Sequence, residues 1–307
     1  MLNKIENKVK DVIYLDDIQD KMIKIFREGR EPAQTTYIKE LDKHFKWLRG
    51  DVSIFAGIGN HGKSTFVNQL ALFQAMNKGS KIAVFSPENN PPDYFYNDII
   101  HTYLSKPVES NFVNKADESE YLKALDFVKD HIFYIYPEVE MPTQKYINER
   151  FQLLIENEGV DFCITDPFNQ LIREWHEFSR DDKYIGQYLQ LEKRFAQKFK
   201  INKITVTHPN STIKLEEGTG EAQRPTIFNL AGGAMWNNHS DNICFVHRPY
   251  KRTQPDNTLV EFTSEKIKKQ KIVGVPGLVE FHFNRHTNRF TVVEAEKQAE
   301  IREDMPY

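Results

Sequence analysis

Residues 57–64 read Gly57-Ile58-Gly59-Asn60-His61-Gly62-Lys63-Ser64. This stretch fits the pattern G-x-x-x-x-G-K-[ST], in which glycines let backbone N–H groups wrap around phosphates. It follows a short apolar run, Val52–Ala56, and leads into a helix-like segment, Ser64–Met76, that stops before Gly79. The N-terminus of such a helix adds positive potential to the loop. The stretch therefore predicts a phosphate-binding loop between a strand and a helix.

Two side chains of this loop suit a nucleoside triphosphate and a magnesium ion. Lys63 can reach the β- and γ-phosphates, and the Ser64 hydroxyl can bind Mg²⁺. The alternative is a chance glycine-rich turn, against which the flanking strand and helix argue. The residues expected to contact the nucleotide are Gly57, Gly59, Asn60, His61, Gly62, Lys63, Ser64 and Thr65.

Short apolar strands alternate with helices through most of the chain. Further strands are predicted at Lys81–Phe85, Ile132–Tyr136, Val160–Thr165 and Lys203–Thr207. Further helices are predicted at Tyr94–Leu104, Ser119–Lys129, Lys145–Asn157 and Lys183–Phe199. This alternation favours an α/β fold, in which a mostly parallel sheet is covered by helices on both faces.

The pattern changes near residue 242. The β-like runs Asn242–His247, Thr258–Ile267, Leu278–Phe283 and Phe290–Val293 have short connections and predict an antiparallel extension of the same sheet. Between the two parts lies Pro209–Asn229, a polar and turn-rich stretch without clear structure. Connections of this length are usually functional or mobile.

Composition excludes several classes of protein. Hydrophobic residues make up 39% of the 307, with 22 Phe and 13 Tyr, which can build a core and excludes wholesale disorder. No run approaches the ~20 apolar residues of a membrane span. Two cysteines cannot form a disulfide framework or a cysteine-rich zinc site. A net charge of -3 means that nucleic acid would be bound through local basic loops.

Residues 1–30 form an amphipathic, helix-like segment whose apolar pattern stops at Gly29. We assign residues 1–30 to this segment and residues 31–307 to the main domain. Its acidic residues and its lack of a long apolar core argue against a signal or transit peptide. We therefore expect a cytoplasmic protein.

Three polar residues follow predicted strands. Asp166 suits the second Mg²⁺ ligand of a phosphate-binding loop, unless it only opens an ordinary turn. Glu88 can orient or deprotonate a water, although a glutamate at the start of a loop is more often solvated. His208 can sense the γ-phosphate, and its alternative is a structural histidine. Because parallel strands end at one edge of a sheet, we expect these side chains near the phosphates.

These motifs, in this order, resemble the RecA-like ATPase core of hexameric replicative helicases in the DnaB-like superfamily. The resemblance is strongest to the helicase half of phage primase-helicases and Twinkle-type proteins, and it covers about residues 30–295. The stretches that carry it are Gly57–Ser64, Phe85–Asn89, Asp161–Pro167, Val206–Pro209 and Leu230–Asn238 with Ser240–Asn242. The glycine loop alone does not distinguish this family from others. All of these stretches together, in this order and including the Gly-Gly segment, are much more specific for it.

The resemblance implies a RecA-like P-loop NTPase that forms a ring, usually hexameric. Such a ring hydrolyses ATP or another NTP with Mg²⁺ and moves along single-stranded DNA, with 5′-3′ polarity expected. Glu88 would be the catalytic glutamate, and His208 would link the nucleotide state to a DNA loop. DNA contacts would fall on Lys214, Arg224, Gly232 and Gly233. The alternatives are solvated loop charges for the two basic residues and a plain turn for the two glycines.

The family also completes each ATP site with basic residues of the neighbouring subunit. Lys269 and Lys271 lie where these residues are found, at an alternate spacing that would point both to one face of a strand. An arginine is common there, and lysine offers a point charge without the bidentate fork. Arg248 competes for this role, or contacts DNA or the nucleotide base. A solvated strand face is the alternative for the lysines.

The N-terminal segment matches, in position, the linker helix that docks on an adjacent subunit in this family. The alternative is an ordinary helix packed on its own core. We find no pattern of a primase or zinc-binding domain in this sequence, so the resemblance supports a helicase part without primase. Whether a separate primase is a further partner is left open by the sequence. The family suggests a bacterial or phage-infected cell.

Two other functions fit parts of the sequence. A RecA-like, DNA-dependent ATPase could act as a recombination or loader protein without unwinding a duplex. A small-molecule kinase on the same loop would need a substrate lid and an acceptor pocket. Unwinding of a forked duplex would distinguish a helicase from the recombination or loader protein. Stimulation of ATP hydrolysis by single-stranded DNA would argue against the small-molecule kinase.

Overall fold

The computed structural model describes residues 8–110, 112–137, 142–172, 181–210 and 213–293. Residues 1–33 and 34–307 form two compact units. The first contains helix α1, Leu15–Glu28, which ends at Gly29 with φ +83°. The N–H of Tyr14 donates to Asp17 Oδ2 at 3.0 Å, and this cap sets the start of α1. Residues 1–7 of the predicted segment lie outside the described residues. None of the residues of α1 is buried.

The second unit is built on one mixed sheet. Its described strands are β1 Val52–Ala56, β2 Ile82–Phe85, β3 Ile132–Ile135, β4 Phe162–Thr165, β5 Asn202–Thr207, β6 Asn242–His247, β7 Leu259–Ile267, β8 Gly277–Asn284 and β9 Arg289–Val292. They lie in the order β3-β2-β4-β5-β1-β6-β7-β8-β9. Neighbours are parallel from β3 to β6 and antiparallel from β6 to β9. The predicted parallel sheet with an antiparallel extension is therefore confirmed.

Helices cover both faces of this sheet. They are α2 Lys63–Lys78, α3 Pro92–Leu104, α4 Glu118–His131, α5 Gln144–Glu158, α6 Asp181–Phe199, α7 Gly233–His239 and the single turn α8 Gln270–Val273. Successive residues of a strand point to opposite faces, and Ile54 and Phe55 of β1 belong to different hydrophobic cores. One core includes Phe66 of α2, and the other includes Phe151 of α5 and Trp236 of α7.

The parallel arrangement brings four strand ends to one edge. In β1 and β5, Ala56 pairs with Thr207, and in β2 and β4, Phe85 pairs with Thr165. Because β4 also pairs with β5, the residues that follow all four strands lie beside one another. This edge carries the glycine loop and the three polar residues named from the sequence.

The stretch before α7 contains more structure than the sequence indicates. Leu215 and Ala222 form an antiparallel bridge, and the N–H of Glu216 donates to the carbonyl of Glu221 at 2.8 Å. Gly218 has φ +86°, a conformation that suits glycine and lets the chain reverse. We call residues 214–223 the 214–223 hairpin. It corrects the expectation of a connection without clear structure.

The segment after β7 also differs from its prediction. The strand ends at Ile267, so Lys269 and Lys271 do not alternate along a strand. The carbonyl of Lys269 accepts the N–H of Val273 at 2.9 Å. Val273 is fully buried, and burying this side chain requires the chain to turn helically instead of extending the strand.

Among the described residues, no helix combines the length and the apolar character that crossing a membrane requires.

Candidate active site

The glycine loop lies between β1 and α2, as its motif predicts. A Cβ on Gly57 would stand 2.3 Å from the carbonyl oxygen of Val246, so only glycine fits against the neighbouring strand β6. Gly62 has φ +88° and precedes the first residue of α2. A helix leaves its first N–H groups without intrahelical acceptors. The loop and the helix start together present N–H donors and positive potential to an anion.

Lys63 projects into this cradle from the first turn of α2. Its ammonium donates to the carbonyl of Ile58 at 3.1 Å and contacts Nδ1 of His208 at 3.2 Å. Burial lowers the pKa of Lys63 to about 8, while the carboxylates of Asp166 and Glu88 oppose this fall. Both hydrogen-bond partners are neutral acceptors in this arrangement, so a phosphate oxygen would be a better partner for the charge.

Asp166 directly follows β4 and is 3% exposed. Burial raises its pKa to about 6, while the hydrogen bond with the Ser64 side chain and the charge of Lys63 oppose this rise. A carboxylate and a hydroxyl side by side are hard oxygen ligands of the kind that Mg²⁺ prefers. These two residues therefore fit a magnesium ion that also takes phosphate oxygens.

Glu88 lies after β2 on the same edge as the glycine loop. Its charge acts on Lys63, Asp166 and His208, so the carboxylate faces the cradle and not the far side of the sheet. Its side chain is exposed, and Oε1 accepts a hydrogen bond from Gln170 Nε2 at 3.2 Å. An exposed, oriented carboxylate beside a phosphate cradle is placed to meet a water molecule.

His208 follows β5 and lies next to Lys63. Burial and the charge of Lys63 lower its pKa, while Glu88 and a hydrogen bond with the backbone of Gly57 oppose this. His208 is thus in contact with both the loop and its lysine. The structure brings together Lys63, Asp166, Glu88 and His208.

Two residues at the cradle were not anticipated in their observed positions. Lys251 donates to the carbonyls of Gly59 and Asn60 at 3.2 and 3.1 Å. Gln170 lies in a short turn four residues after Asp166 and orients Glu88. Lys251 follows β6, and only the pairing of β6 with β1 brings it to the glycine loop. Nothing in the local sequence marks either residue.

Arg248 and His61 belong to the same side of the loop. The N–H of Arg248 donates to His61 Nδ1 at 2.9 Å. Burial, together with the charges of His247 and Lys251, lowers the pKa of His61 to about 3, so this ring is neutral. Arg248 therefore lies beside the glycine loop of its own chain.

A cavity of about 130 Å³ lies next to the loop. Its lining includes Asn60, His61, Gly62, Thr65, Arg248, Thr258, Val260, Phe283, Arg285 and Phe290. It adjoins the start of α2 and combines aromatic rings with guanidinium groups. Such a surface suits a flat, polar ring system carried by a phosphate chain.

Lys269 and Lys271 lie away from this cradle. Lys269 donates to Asp51 Oδ1 at 2.5 Å, and Asp51 directly precedes β1. The five residues of β1 separate Asp51 from Gly57, and the six residue steps between them span roughly 20 Å at ~3.3 Å per residue. Within the described ranges Lys271 is exposed and forms no ion pair. Neither lysine can serve the glycine loop of its own chain.

Of the four residues suggested for DNA contact, Lys214 opens the 214–223 hairpin, Arg224 directly follows it, and Gly232 and Gly233 lie at the start of α7. Lys214 is exposed, whereas Arg224 Nε donates to Glu261 at 2.8 Å. Gly232, with φ +66°, precedes α7. A Cβ on Gly233 would stand 2.6 Å from the carbonyl oxygen of Ile227. Both glycines are thus needed for the turn into α7.

Comparisons with known proteins agree with this geometry. The chain is 24% identical over 273 residues to the Twinkle homolog protein, chloroplastic/mitochondrial, of Arabidopsis thaliana, covering 86% of this chain. The chain spans only 37% of the length of that relative.

Solved structures share the fold. A solved ATPase domain is similar with a TM-score of 0.76 at 16% identity, covering 92% of this chain and 100% of that one. A DnaB-like replicative helicase, described with its interactions with primase, is similar with a TM-score of 0.71 at 17% identity. The match covers 92% of this chain and 67% of that one. The RadB recombinase is similar with a TM-score of 0.54 at 15% identity, and the match covers 84% of this chain and 99% of that one.

The family comparison covers most of the chain. The profile of the DnaB-like helicase C terminal domain matches residues 34–292, which include the whole described sheet and every residue of the cradle. The chain belongs to the family of DnaB-like helicase C-terminal domains.

Proposed function

We propose that this chain is the motor of a replicative DNA helicase, which hydrolyses ATP or another nucleoside triphosphate and moves along single-stranded DNA in a ring. One observation carries the proposal: Lys63, Asp166, Glu88 and His208, from four separate strand ends, meet at one phosphate cradle. Membership of the DnaB-like family supports the use of this hydrolysis on DNA, with 5′-3′ movement expected.

Binding of the nucleotide falls to the loop and to Lys63. The loop N–H groups and the Lys63 ammonium would hold the β- and γ-phosphates. Ser64 and Asp166 would hold Mg²⁺, which neutralises charge on the phosphates when it is bound. The cavity that contains Arg248 and Phe283 would take the base, with Thr65 between the base and the phosphates.

Glu88 is proposed as the general base of hydrolysis. It would take a proton from a water whose oxygen attacks the γ-phosphorus, while the bond to the β-phosphate oxygen breaks and releases the diphosphate. The hydrogen bond from Gln170 would hold the carboxylate in line for that water. His208, in contact with Lys63, would report loss of the γ-phosphate to the chain that follows β5.

Lys271 is proposed as the residue that completes the site of a neighbouring copy, with Lys269 beside it. A residue acting across an interface must lie away from its own cradle, and both lysines do. Lys269 is bound to Asp51, whereas the exposed Lys271 is available. Arg248, beside its own glycine loop, is a weaker candidate for this role.

Single-stranded DNA would lie along the side that carries the hairpin and the start of α7. Lys214 and Arg224 would contact phosphates, and Gly232 and Gly233 would let the backbone approach the strand closely. Arg224 would have to exchange Glu261 for a phosphate. Because such contacts release counterions, we expect DNA affinity to fall as salt rises.

The experiment that tests the function measures ATP hydrolysis by the full chain with and without single-stranded DNA, followed by unwinding of a forked duplex. We expect several-fold stimulation and steady unwinding that requires Mg²⁺. Stimulation without unwinding would favour a recombination or loader protein. No stimulation at all would contradict a DNA motor and favour a small-molecule kinase.

Assembly into a ring is proposed to use α1. Its exposed apolar side chains include Phe26, which is 91% exposed, and a second copy of the chain is the proposed partner. Native mass measurement with an ATP analogue and an oligonucleotide should give a closed oligomer, expected to be a hexamer. Phe26→Glu should shift the mass to smaller species because it puts a charge into the apolar contact.

The matched control for this prediction is Gln19→Glu, which adds the same charge at an exposed polar position of α1. Unchanged assembly of Phe26→Glu would remove α1 from the interface. A primase is proposed as a further partner, and co-sedimentation of the ring with a primase would check it.

A further inference from the structure

The loop that follows β6 contacts two places that the sequence separates widely. We call residues 248–257 the connector loop. Its residues Arg248 and Lys251 touch the glycine loop, and Arg252 and Thr253, next along the loop, touch the 214–223 hairpin. This makes it a physical link between the nucleotide cradle and the side proposed to hold DNA, separate from the link through His208.

At the glycine loop, Lys251 donates to the carbonyls of Gly59 and Asn60 at 3.2 and 3.1 Å. In a trans peptide the carbonyl and the following N–H point in opposite directions. By holding these two carbonyls, Lys251 sets the directions of the N–H groups of Asn60 and His61. The position of the connector loop and the shape of the phosphate cradle are therefore coupled.

The connector loop is braced internally. The guanidinium of Arg248 donates to the carbonyl of Pro255 at 3.2 Å and to that of Asn257 at 2.9 Å. The N–H of Gln254 donates to the carbonyl of Tyr250 at 2.9 Å. Bonds between its first and last residues hold the loop closed, so a displacement at Lys251 moves the loop as one piece.

At the hairpin, the Glu221 carboxylate accepts most of the hydrogen bonds from the connector loop, and the carbonyl of Gly220 accepts one from Arg252 Nη1 at 3.3 Å. Its Oε1 accepts the N–H of Thr253 at 2.6 Å and the Thr253 hydroxyl at 2.7 Å, and its carboxylate accepts the N–H of Arg252 at 3.0 Å. Glu221 is 4% exposed, whereas Glu216 and Glu217 on the same hairpin are exposed. Hydrogen bonds to a charged acceptor are among the stronger ones, so a displacement of the connector loop moves the hairpin with it.

We propose that Lys251 and Glu221 are positioning residues that couple the nucleotide cradle to the hold of the hairpin on DNA. A bound triphosphate attracts the Lys251 ammonium more strongly than two neutral carbonyls do, which shifts the connector loop and, through Glu221, the hairpin. The inference rests on the proposed function, because it needs the hairpin side to face DNA. Since coupling is reciprocal, DNA then changes nucleotide affinity by the same factor.

The test measures the affinity of the full chain for a labelled single-stranded oligonucleotide, without nucleotide and with a non-hydrolysable ATP analogue. The ratio of the two affinities is the coupling factor, which we expect to be at least about fivefold in the unchanged chain. Lys251→Met and Glu221→Ala should each bring the ratio close to one. Combining them should lower it no further, because both break one connection.

Matched controls separate coupling from charge and from folding. Glu217→Ala removes the same charge from the hairpin, and Lys123→Met removes a lysine from the exposed face of α4, and both should keep the full ratio. Lys251→Arg, which keeps the positive charge, should keep most of the coupling factor that Lys251→Met loses. Should Glu221→Ala fail to fold, Glu221→Gln and Lys251→Met carry the test. A full ratio in the Lys251 and Glu221 variants would overturn this inference alone, whereas absence of DNA binding by the unchanged chain would overturn the proposed function with it.

Discussion

Glu88→Gln is expected to bind nucleotide as tightly as the unchanged chain and to lose nearly all hydrolysis, on the order of 10²- to 10⁴-fold in turnover. Glutamine keeps the size of the side chain and an oxygen for Gln170, but its amide cannot take a proton from water. Nucleotide binding uses the loop and Lys63, which this change does not touch. Single-turnover hydrolysis and titration with a fluorescent nucleotide measure the two effects separately.

The control for this change is Asp93→Asn, which removes an exposed carboxylate near the start of α3, five residues further along the chain. It should leave turnover within about twofold, because Asp93 has no role in the proposed site and exposed surface charges act weakly. Full turnover in Glu88→Gln would exclude Glu88 as the base. The bond from Gln170 would then have only a structural role.

Most of the fold could be predicted from local sequence. Strands such as Val52–Ala56 and Asn242–His247 coincide with β1 and β6, because short apolar runs bounded by turn residues rarely fit anything else in an α/β protein. The glycine loop was equally predictable, since Gly57 and Gly62 meet steric and backbone requirements. These features depend on residues close together in the chain.

Features that depend on strand order could not be predicted in this way. Lys251 reaches Gly59 only because β6 pairs with β1, and Glu221 reaches Thr253 across 32 positions. The spacing of Lys269 and Lys271 predicted a strand, whereas burial of Val273 requires a helical turn. Local periodicity carries no information about such contacts, and tertiary packing overrides it.

Lys63→Ala is expected to abolish hydrolysis, with a loss on the order of 10³-fold or more, because the change removes the charge that the β- and γ-phosphates would meet. The protein should remain folded. Burial lowers the pKa of Lys63, so the charged side chain is held at a cost, and removing it should not lower the melting temperature. Steady-state hydrolysis at saturating ATP, with thermal melting beside it, checks both statements.

Mixing variants tests whether the site is shared between copies. Lys63→Ala and Lys271→Ala should each be inactive or nearly so alone, since each would damage every site of a ring. In an equal mixture, about a quarter of the head-to-tail interfaces would combine an intact Lys63 with an intact Lys271, and hydrolysis should recover toward that fraction. A mixture no more active than its components would place Lys271 outside the neighbouring site. Because Lys271 lies at the edge of the sheet opposite the glycine loop, recovery has no explanation within one chain and would require an interface.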